Sequence, residues 1–367
     1  VSQRAGLGAR PLKVAVAGAG FISQFHLAGW EAMPNIEVVA VCDPVMEKAR
    51  ARATEFAVAA TYADFGEMLE RERPDAVDIA TPVGTHAGLV RMAADRGVHV
   101  MVQKPMTASV AEGEALVRDV GDRVRFMVHE NFRFRPHYVA VRQWLRAGKV
   151  GAPRQARLAV RSSGFLAAEG VTPALLVRQP YLHGFPRLLV FEGLIHHFDV
   201  LRCLFGELAI ESAAFSRVNP ILAGEDVAII VLRGANGFTA VLDGNYAAHG
   251  YPVTPVDRLE IMGSRATLLY DVTSLTVVGG DEAPVAFDPL NTYQAPFTEA
   301  IRHFIAGLRS GDPFETEAAD NLHVLRLVEA CYAAAGTPAD DDDTTGLRRC
   351  AGRERVGENV TDTTHDH

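Results

Sequence analysis

Apolar and polar positions divide the chain into two differently patterned parts. From residue 13 to about 128, short and nearly unbroken apolar runs (KVAVA, IEVVAVC, AVDIA, HVMVQ and VRFMVH) alternate with stretches of helical periodicity. Continuous apolar runs are the signature of strands buried on both faces, and alternation with helices predicts parallel strands joined by crossover helices. After Pro136 the pattern changes. A helical segment, HYVAVRQWLRAG, leads into the strand-like RQARLAVRS, and a second helix is predicted near residues 192 to 204. Then come DVAIIVLRG, GFTAVLDGNYA, DRLEIMGS and RATLLYDV, long runs separated by glycine turns at hairpin spacing, which predict a mostly antiparallel sheet. Two more helices, about 296–309 and 316–334, are separated by Gly311, Asp312 and Pro313. The last 30 or so residues carry the Asp340–Asp343 run and no periodicity, which predicts a solvated tail.

The expected fold is therefore α/β. A doubly wound parallel sheet (12–130) precedes an α+β substrate domain with a large, mostly antiparallel open sheet and closing helices (131–337), followed by a disordered acidic tail (338–367).

The first turn carries chemistry. In KVAVAGAGFISQFHLAGW, Gly18 permits a tight strand-to-helix turn, Gly20 lets bare backbone approach a pyrophosphate, and the small Ser23 lets the helix lie close to the strand. The helix amides then face the phosphates. This makes Gly18, Gly20, Phe21 and Ile22 a dinucleotide loop. A second apolar run ends in Asp43, where an acidic residue meets the adenosine ribose. A carboxylate accepts from two ribose hydroxyls and repels a 2′-phosphate, so Asp43 followed by Pro44 points to NAD rather than NADP.

Composition narrows the partners. A net charge of −9 argues against nucleic acid, which needs a basic surface. No apolar run approaches the roughly 20 residues of a membrane span. Cys42, Cys203, Cys331 and Cys350 form no Cys-x-x-Cys pair, which fits a reducing compartment, and a cytoplasmic location is expected.

Several segments occurring in a fixed order resemble the Gfo/Idh/MocA family, named for glucose-fructose oxidoreductase, inositol dehydrogenase and a rhizopine catabolism protein. They are ATPVGTHAGLV and MVQKPMT around residues 81 to 105, HENFRFRP at 129–136, EGLIHHFDVLRCLFGE at 192–207, and the final helix pair. The resemblance spans about residues 12 to 337. It implies hydride transfer between NAD(P) and a secondary alcohol of a sugar, cyclitol or related polyol. Lys104 and His196 are then the catalytic pair, with His196 as base, and Glu192 binds substrate or orients the others. Thr81, Pro82, His86, Gln103 and Lys104 line the cofactor path, and Arg133, Arg178 and Tyr181 are expected to meet substrate with Glu192 and His196. Asp199, one turn beyond His196, is expected to fix the imidazole, and Glu192 and His196, four apart, to share one helical face. Arg161, His183, Asn245 and His249 are weaker candidates. Two positions depart from the family pattern. Gln103 stands where a glutamate usually precedes the lysine, and Glu192 where an aspartate usually stands.

The resemblance implies no metal, and a zinc site on Glu192, His196 and Asp199 with His183 or His249 is the competing reading. A glycosidase or epimerase that borrows NAD transiently would use the same residues. A non-catalytic dinucleotide sensor would be expected to have lost Lys104 and His196. Family members often pair through the second sheet, so a homo-oligomer is expected.

Overall fold

The computed structural model describes residues 10–168, 170–288 and 293–336. The predicted acidic tail and Cys350 lie outside the described residues.

The first sheet has six parallel strands: β1 (Leu12–Ala17), β2 (Ile36–Cys42), β3 (Ala60–Tyr62), β4 (Ala76–Ile79), β5 (His99–Gln103) and β6 (Phe126–His129), in the order β3-β2-β1-β4-β5-β6. Between them run α1 (Ser23–Glu31), α2 (Met46–Glu55), α3 (Phe65–Glu72), α4 (Val83–Asp95) and α5 (Val110–Val120). The strand order reverses between β1 and β4, and ligands of such sheets bind at the carboxyl ends beside that switch point. Five of the six strands are the five apolar runs. The sixth, β3, has three half-buried residues at the sheet edge, too short and too mixed to produce a run.

The chain then forms α6 (Pro136–Arg146), β7 (Pro153–Arg161), the short α7 (Ala174–Arg178) and α8 (Ile195–Phe205). Next come β8 (Leu208–Ser216), β9 (Val227–Gly234), β10 (Thr239–Asn245), β11 (Val256–Gly263), β12 (Thr267–Asp271), β13 (Ser274–Val277) and β14 (Val285–Ala286). With β7 these make an eight-stranded sheet, β14-β13-β12-β11-β7-β10-β9-β8, antiparallel except where β7 lies parallel to β10. Its strands alternate as a one-sided sheet must. Leu158, Ile230, Leu242, Leu259 and Leu268 are buried toward the helices, whereas Ile229, between the buried Ala228 and Ile230, looks outward.

The last two helices, α9 (Ala295–Ser310) and α10 (Ala318–Ala334), part company. Helix α10 packs on α5, α8 and β8, between the two sheets. Helix α9 instead packs on α1, and Ala300, Ile301 and Phe304 join the same buried cluster as Val14, Val16, Trp30 and Met127. Gly29 makes the approach close: a Cβ there would lie 2.6 Å from Ile301 Cδ1. Although both closing helices follow the second sheet in the chain, α9 thus packs against the core of the first sheet. The link between the two helices extends this packing. Thr316 exchanges hydrogen bonds with the Val128 backbone along β6, covering an otherwise open sheet edge.

Candidate active site

The functional side chains converge at the carboxyl ends of β1, β4, β5 and β6 and at the start of α8. At the end of β1, Gly18 adopts φ +98°, and a Cβ there would lie 2.4 Å from the Ala80 carbonyl oxygen. Only glycine fits that turn without displacing β4. Gly20, by contrast, would present a Cβ to open space, with nothing within 4 Å. Ser23 is buried and donates its hydroxyl to the Gly20 carbonyl at 2.7 Å, tying the loop to α1, whose first turn has no side-chain cap. At the end of β2, Asp43 accepts from Ala19 N and Val45 N, both at 2.9 Å, which leaves carboxylate lone pairs for a ligand. Open space over Gly20, uncapped helix amides and an acid held beside them fit the phosphates and adenosine ribose of a dinucleotide.

Beyond β4, the Thr81 and Thr85 hydroxyls are 2.7 Å apart and Thr85 donates to the Pro82 carbonyl, while Pro82 itself is exposed. His86 lies between the ends of β4 and β5. It is 1% exposed, with Nδ1 2.9 Å from the Pro105 carbonyl and Nε2 2.8 Å from the Thr81 carbonyl. Burial lowers its pKa, so a neutral ring donates to one carbonyl at a time. It braces the turns after β4 and β5 against each other, at the end of the expected cofactor path.

Beyond β5, Gln103 and Lys104 take different directions. Gln103 Oε1 accepts the Lys104 backbone N–H at 2.8 Å, so its amide nitrogen must face His26 Nε2, 2.9 Å away. His26 Nδ1 lies 2.8 Å from Asp78 Oδ2, which also accepts the Trp30 indole N–H at 2.7 Å. All of these side chains are buried. The Lys104 ammonium instead reaches into the cleft, donating to the Glu192 carbonyl at 2.8 Å and to Glu192 Oε2 at 3.0 Å. The carboxylate that pairs with the lysine therefore comes from Glu192 and not from position 103.

Glu192 and His196 do not sit on one uninterrupted α-helix. Leu189–Leu194 forms a π-helical turn, and α-helical geometry begins at Ile195. Such single turns recur at functional sites because they re-aim side chains. Here the turn sends Glu192 to Lys104, while His196 Nδ1 meets Glu130 Oε2 at 2.6 Å. The imidazole stacks flat on Phe132 (centroids 4.0 Å apart, planes 6°), and the Arg135 guanidinium lies 3.2 Å from the centre of the Phe132 ring. Burial, then the positive charges of Lys104, His197 and Arg135, hold His196 well below the usual imidazole range. It is thus neutral at physiological pH and able to accept a proton. Glu130, fully buried just past β6, is pushed up to about 7 by burial.

Asp199, expected to fix the imidazole, is engaged elsewhere. Arg133 grips it along one edge of its guanidinium, Nε donating to Oδ2 at 2.8 Å and Nη2 to Oδ1 at 2.5 Å, and Nη1 also donates to the Glu315 carbonyl at 2.7 Å. Arg133, expected among the substrate contacts, is thus buried in an ion pair in this structure. Arg178 behaves differently: it lies over the Phe21 ring at 5.1 Å, bringing the second domain to the dinucleotide loop. Tyr181 is within electrostatic reach of Glu192 and Arg178 and accepts from Gln179 Nε2 at 3.3 Å. Arg161 pairs with Asp243 across β7 and β10, Asn245 accepts from Ala247 N, and His183 and His249 are exposed. Glu192, His196 and Asp199 each face a different partner, and the described residues contain no group of three His, Cys, Asp or Glu side chains placed to hold a metal.

Glu130, Phe132, Arg135 and His26 were not singled out in the sequence. Glu130 had a usable signal, because it directly follows a buried strand, just as Lys104 does.

The family model described as "Oxidoreductase family, NAD-binding Rossmann fold" matches residues 12–129, and its companion "Oxidoreductase family, C-terminal alpha/beta domain" matches residues 182–339. The chain is 37% identical over 336 residues to a D-apiose dehydrogenase of Paraburkholderia graminis, covering 88% of this chain and 87% of that one. It is 26% identical to a scyllo-inositol 2-dehydrogenase (NAD(+)) of Bacillus subtilis, covering 85% and 92%. Among solved structures, an oxidoreductase from Agrobacterium radiobacter in complex with NAD+, L-tartaric acid and magnesium superposes with a TM-score of 0.80 at 32% identity, covering 89% of this chain and 96% of that one.

Proposed function

We propose, because the chain belongs to the Gfo/Idh/MocA oxidoreductase family, that Lys104, Glu192 and His196 carry out the oxidation of a small sugar. The protein is an NAD-dependent oxidoreductase acting on a hydroxyl-bearing carbon of a sugar, cyclitol or related polyol. Bound NAD supplies the hydride acceptor, and Gly18, Gly20, Phe21, Ile22 and Asp43 hold it, with Thr81 and Pro82 along its path.

Within the cleft the residues divide the work. His196 Nε2, the ring nitrogen not turned to Glu130, takes the hydroxyl proton. The Lys104 ammonium stabilises the alkoxide as it develops, a role worth most in a site that excludes water. Glu192 anchors Lys104 through both its carboxylate and its carbonyl, and Arg178 and Tyr181 border the substrate space. Gln103 and His86 hold the strand ends that carry Lys104 and Thr81. The observation that carries this reading is the convergence of an anchored lysine and a neutral, oriented histidine beside an open dinucleotide loop.

The likeness to a D-apiose dehydrogenase makes a branched aldopentose the first substrate to try, and the inositols the second. NADH formation on a panel of D-apiose, other pentoses and inositols tests this, with Lys104→Met and His196→Asn as controls. Each control is expected to lower kcat by about 100-fold or more with NAD affinity nearly unchanged. A variant that keeps its rate removes that residue from the chemistry. Conversion of a sugar without net NADH would favour transient use of the cofactor.

The same proposal places the protein in the cytoplasm, supported by free thiols at Cys42, Cys203 and Cys331. No helix among the described residues is long and apolar enough to cross a membrane. It also assigns residues 12–130 to the nucleotide-binding domain and 131–337 to the substrate domain, whose helix α9 packs back on the first, and homo-oligomerisation to the outer face of the eight-stranded sheet.

A further inference from the structure

The mechanism above leaves one buried group without a task. Glu130 sits directly behind the base, its Oε2 2.6 Å from His196 Nδ1, and it is fully buried. Its other oxygen, Oε1, has no hydrogen-bond partner among the described residues. A carboxylate that merely orients a histidine stays ionised throughout catalysis, as the aspartate of serine protease triads does. An anion with one bare oxygen in a dry site is poorly stabilised, and protonation relieves it.

We propose that Glu130 is the terminal proton acceptor of the oxidation, so that the substrate proton is stored inside the protein during hydride transfer. The proposal rests on His196 being the base. In the resting site His196 Nδ1–H donates to ionised Glu130. As the substrate C–H hydride departs and reduces bound NAD, the hydroxyl O–H bond breaks, its proton bonds to His196 Nε2, and the C=O bond forms. The Nδ1–H bond then breaks and that proton bonds to Glu130 Oε2. Imidazole ends neutral with its tautomer exchanged, the glutamate ends as a carboxylic acid, and the proton leaves later.

The surroundings favour this order. Lys104 from the end of β5, His129 from β6, Arg133 from the turn after it, His197 and Asp199 from α8, and Asp257 from β11 are the charged or titratable groups acting on the pair, with Arg135 beyond Phe132. Burial, with Lys104, His197 and Arg135, opposes a lasting positive charge on His196 more than Asp257 favours it, and burial raises Glu130 more than Lys104, Arg133 and His197 lower it. The carboxylate is thus the better resting place for a proton at neutral pH. The flat stack of His196 on Phe132 keeps Nδ1 aimed at Glu130 while the proton crosses.

The test follows one turnover in weak buffer by stopped flow, using NAD and the sugar that yields NADH in the panel. NADH absorbance reports hydride transfer and a pH indicator reports the released proton. The expected result is one proton per NADH, appearing after the NADH, together with a new carboxylic-acid C=O band in the infrared difference spectrum of the NADH-bound enzyme. Glu130→Gln should abolish the band and slow hydride transfer about 100-fold, and Glu130→Asp should restore part of the rate. These wild-type measurements do not depend on the variants folding. Simultaneous NADH and proton release with no acid band would overturn the proposal, as would a Glu130→Gln enzyme with the wild-type pH profile. If His196→Asn retains the wild-type hydride rate, the base assignment itself fails, an outcome separate from both.

Discussion

Gln103→Glu restores the residue most common in the family, and the structure predicts that here it is harmful in a pH-dependent way. The native amide has only one workable orientation. Its oxygen takes the Lys104 N–H, so its nitrogen donates to His26 Nε2, while Asp78 receives His26 Nδ1–H and the Trp30 indole. One proton on His26 satisfies the chain. A carboxylate at 103 has no N–H to give and would set lone pair against lone pair at 2.9 Å, in a site closed to water. The folded variant recovers a hydrogen bond only by binding one additional proton, which the unfolded chain does not hold above neutral pH. Folding with one extra proton makes stability fall by about 1.4 kcal/mol per pH unit, or roughly 2–3 kcal/mol between about pH 7 and pH 9. The sign is that of a site whose proton affinity is raised by folding: the contribution is complete at mildly acidic pH and lost as pH rises. Urea unfolding of wild type and variant, followed by circular dichroism across that range, measures the difference. Parallel stability curves for the two proteins would refute the reasoning, because they would show that no proton is taken up and that the His26 network tolerates a charge.

Other expectations concern the cleft itself. Glu192→Asp withdraws the carboxylate from Lys104 by one methylene, and Glu192→Gln removes the charge while the Glu192 carbonyl still holds the ammonium. Each should lower kcat/KM for the best sugar by on the order of 10- to 100-fold, with the aspartate variant relatively better on a smaller polyol, and wild-type rates across the panel in both would reduce Glu192 to a scaffold residue. Asp43→Ala should weaken NAD and narrow the NAD-to-NADP difference by about 1–3 kcal/mol in calorimetric titrations of both cofactors, whereas tighter binding of NADP by the wild-type enzyme would contradict the reading of Asp43.

The first sheet was legible because strands buried on both faces must be apolar throughout, and β1, β2, β4, β5 and β6 obey that rule. The edge strand β3 faces no such demand. Helical periodicity shows that α9 buries a face, but not against what, and only the structure reveals that Ile301 meets α1 at Gly29. The same limit explains the site. Lys104 and His196 could be chosen from strand-end position and motif order, yet that Glu192 supplies the carboxylate for Lys104, 88 residues away in sequence, could not. Spacing of four implied a shared helical face for Glu192 and His196, but that inference assumes α-helical geometry, and residues 189–194 form a π turn. Arg133 and Asp199, distant in sequence, each looked like an active-site group, and nothing in the sequence indicated that they pair with each other.

The placement of α9 on the first sheet also bears on how the protein is made. The ribosome completes β6 at His129 but reaches Ala300, whose helix covers Val14, Val16 and Trp30, only about 170 residues later. At ordinary translation rates that is roughly 10 to 30 s during which an apolar face of the emerging nucleotide-binding unit has nothing against it. The half of the enzyme that is synthesised first is therefore among the last to be finished. A ribosome stalled in the second sheet would hold out a nascent chain with a sticky surface, the kind of client that trigger-type chaperones shield.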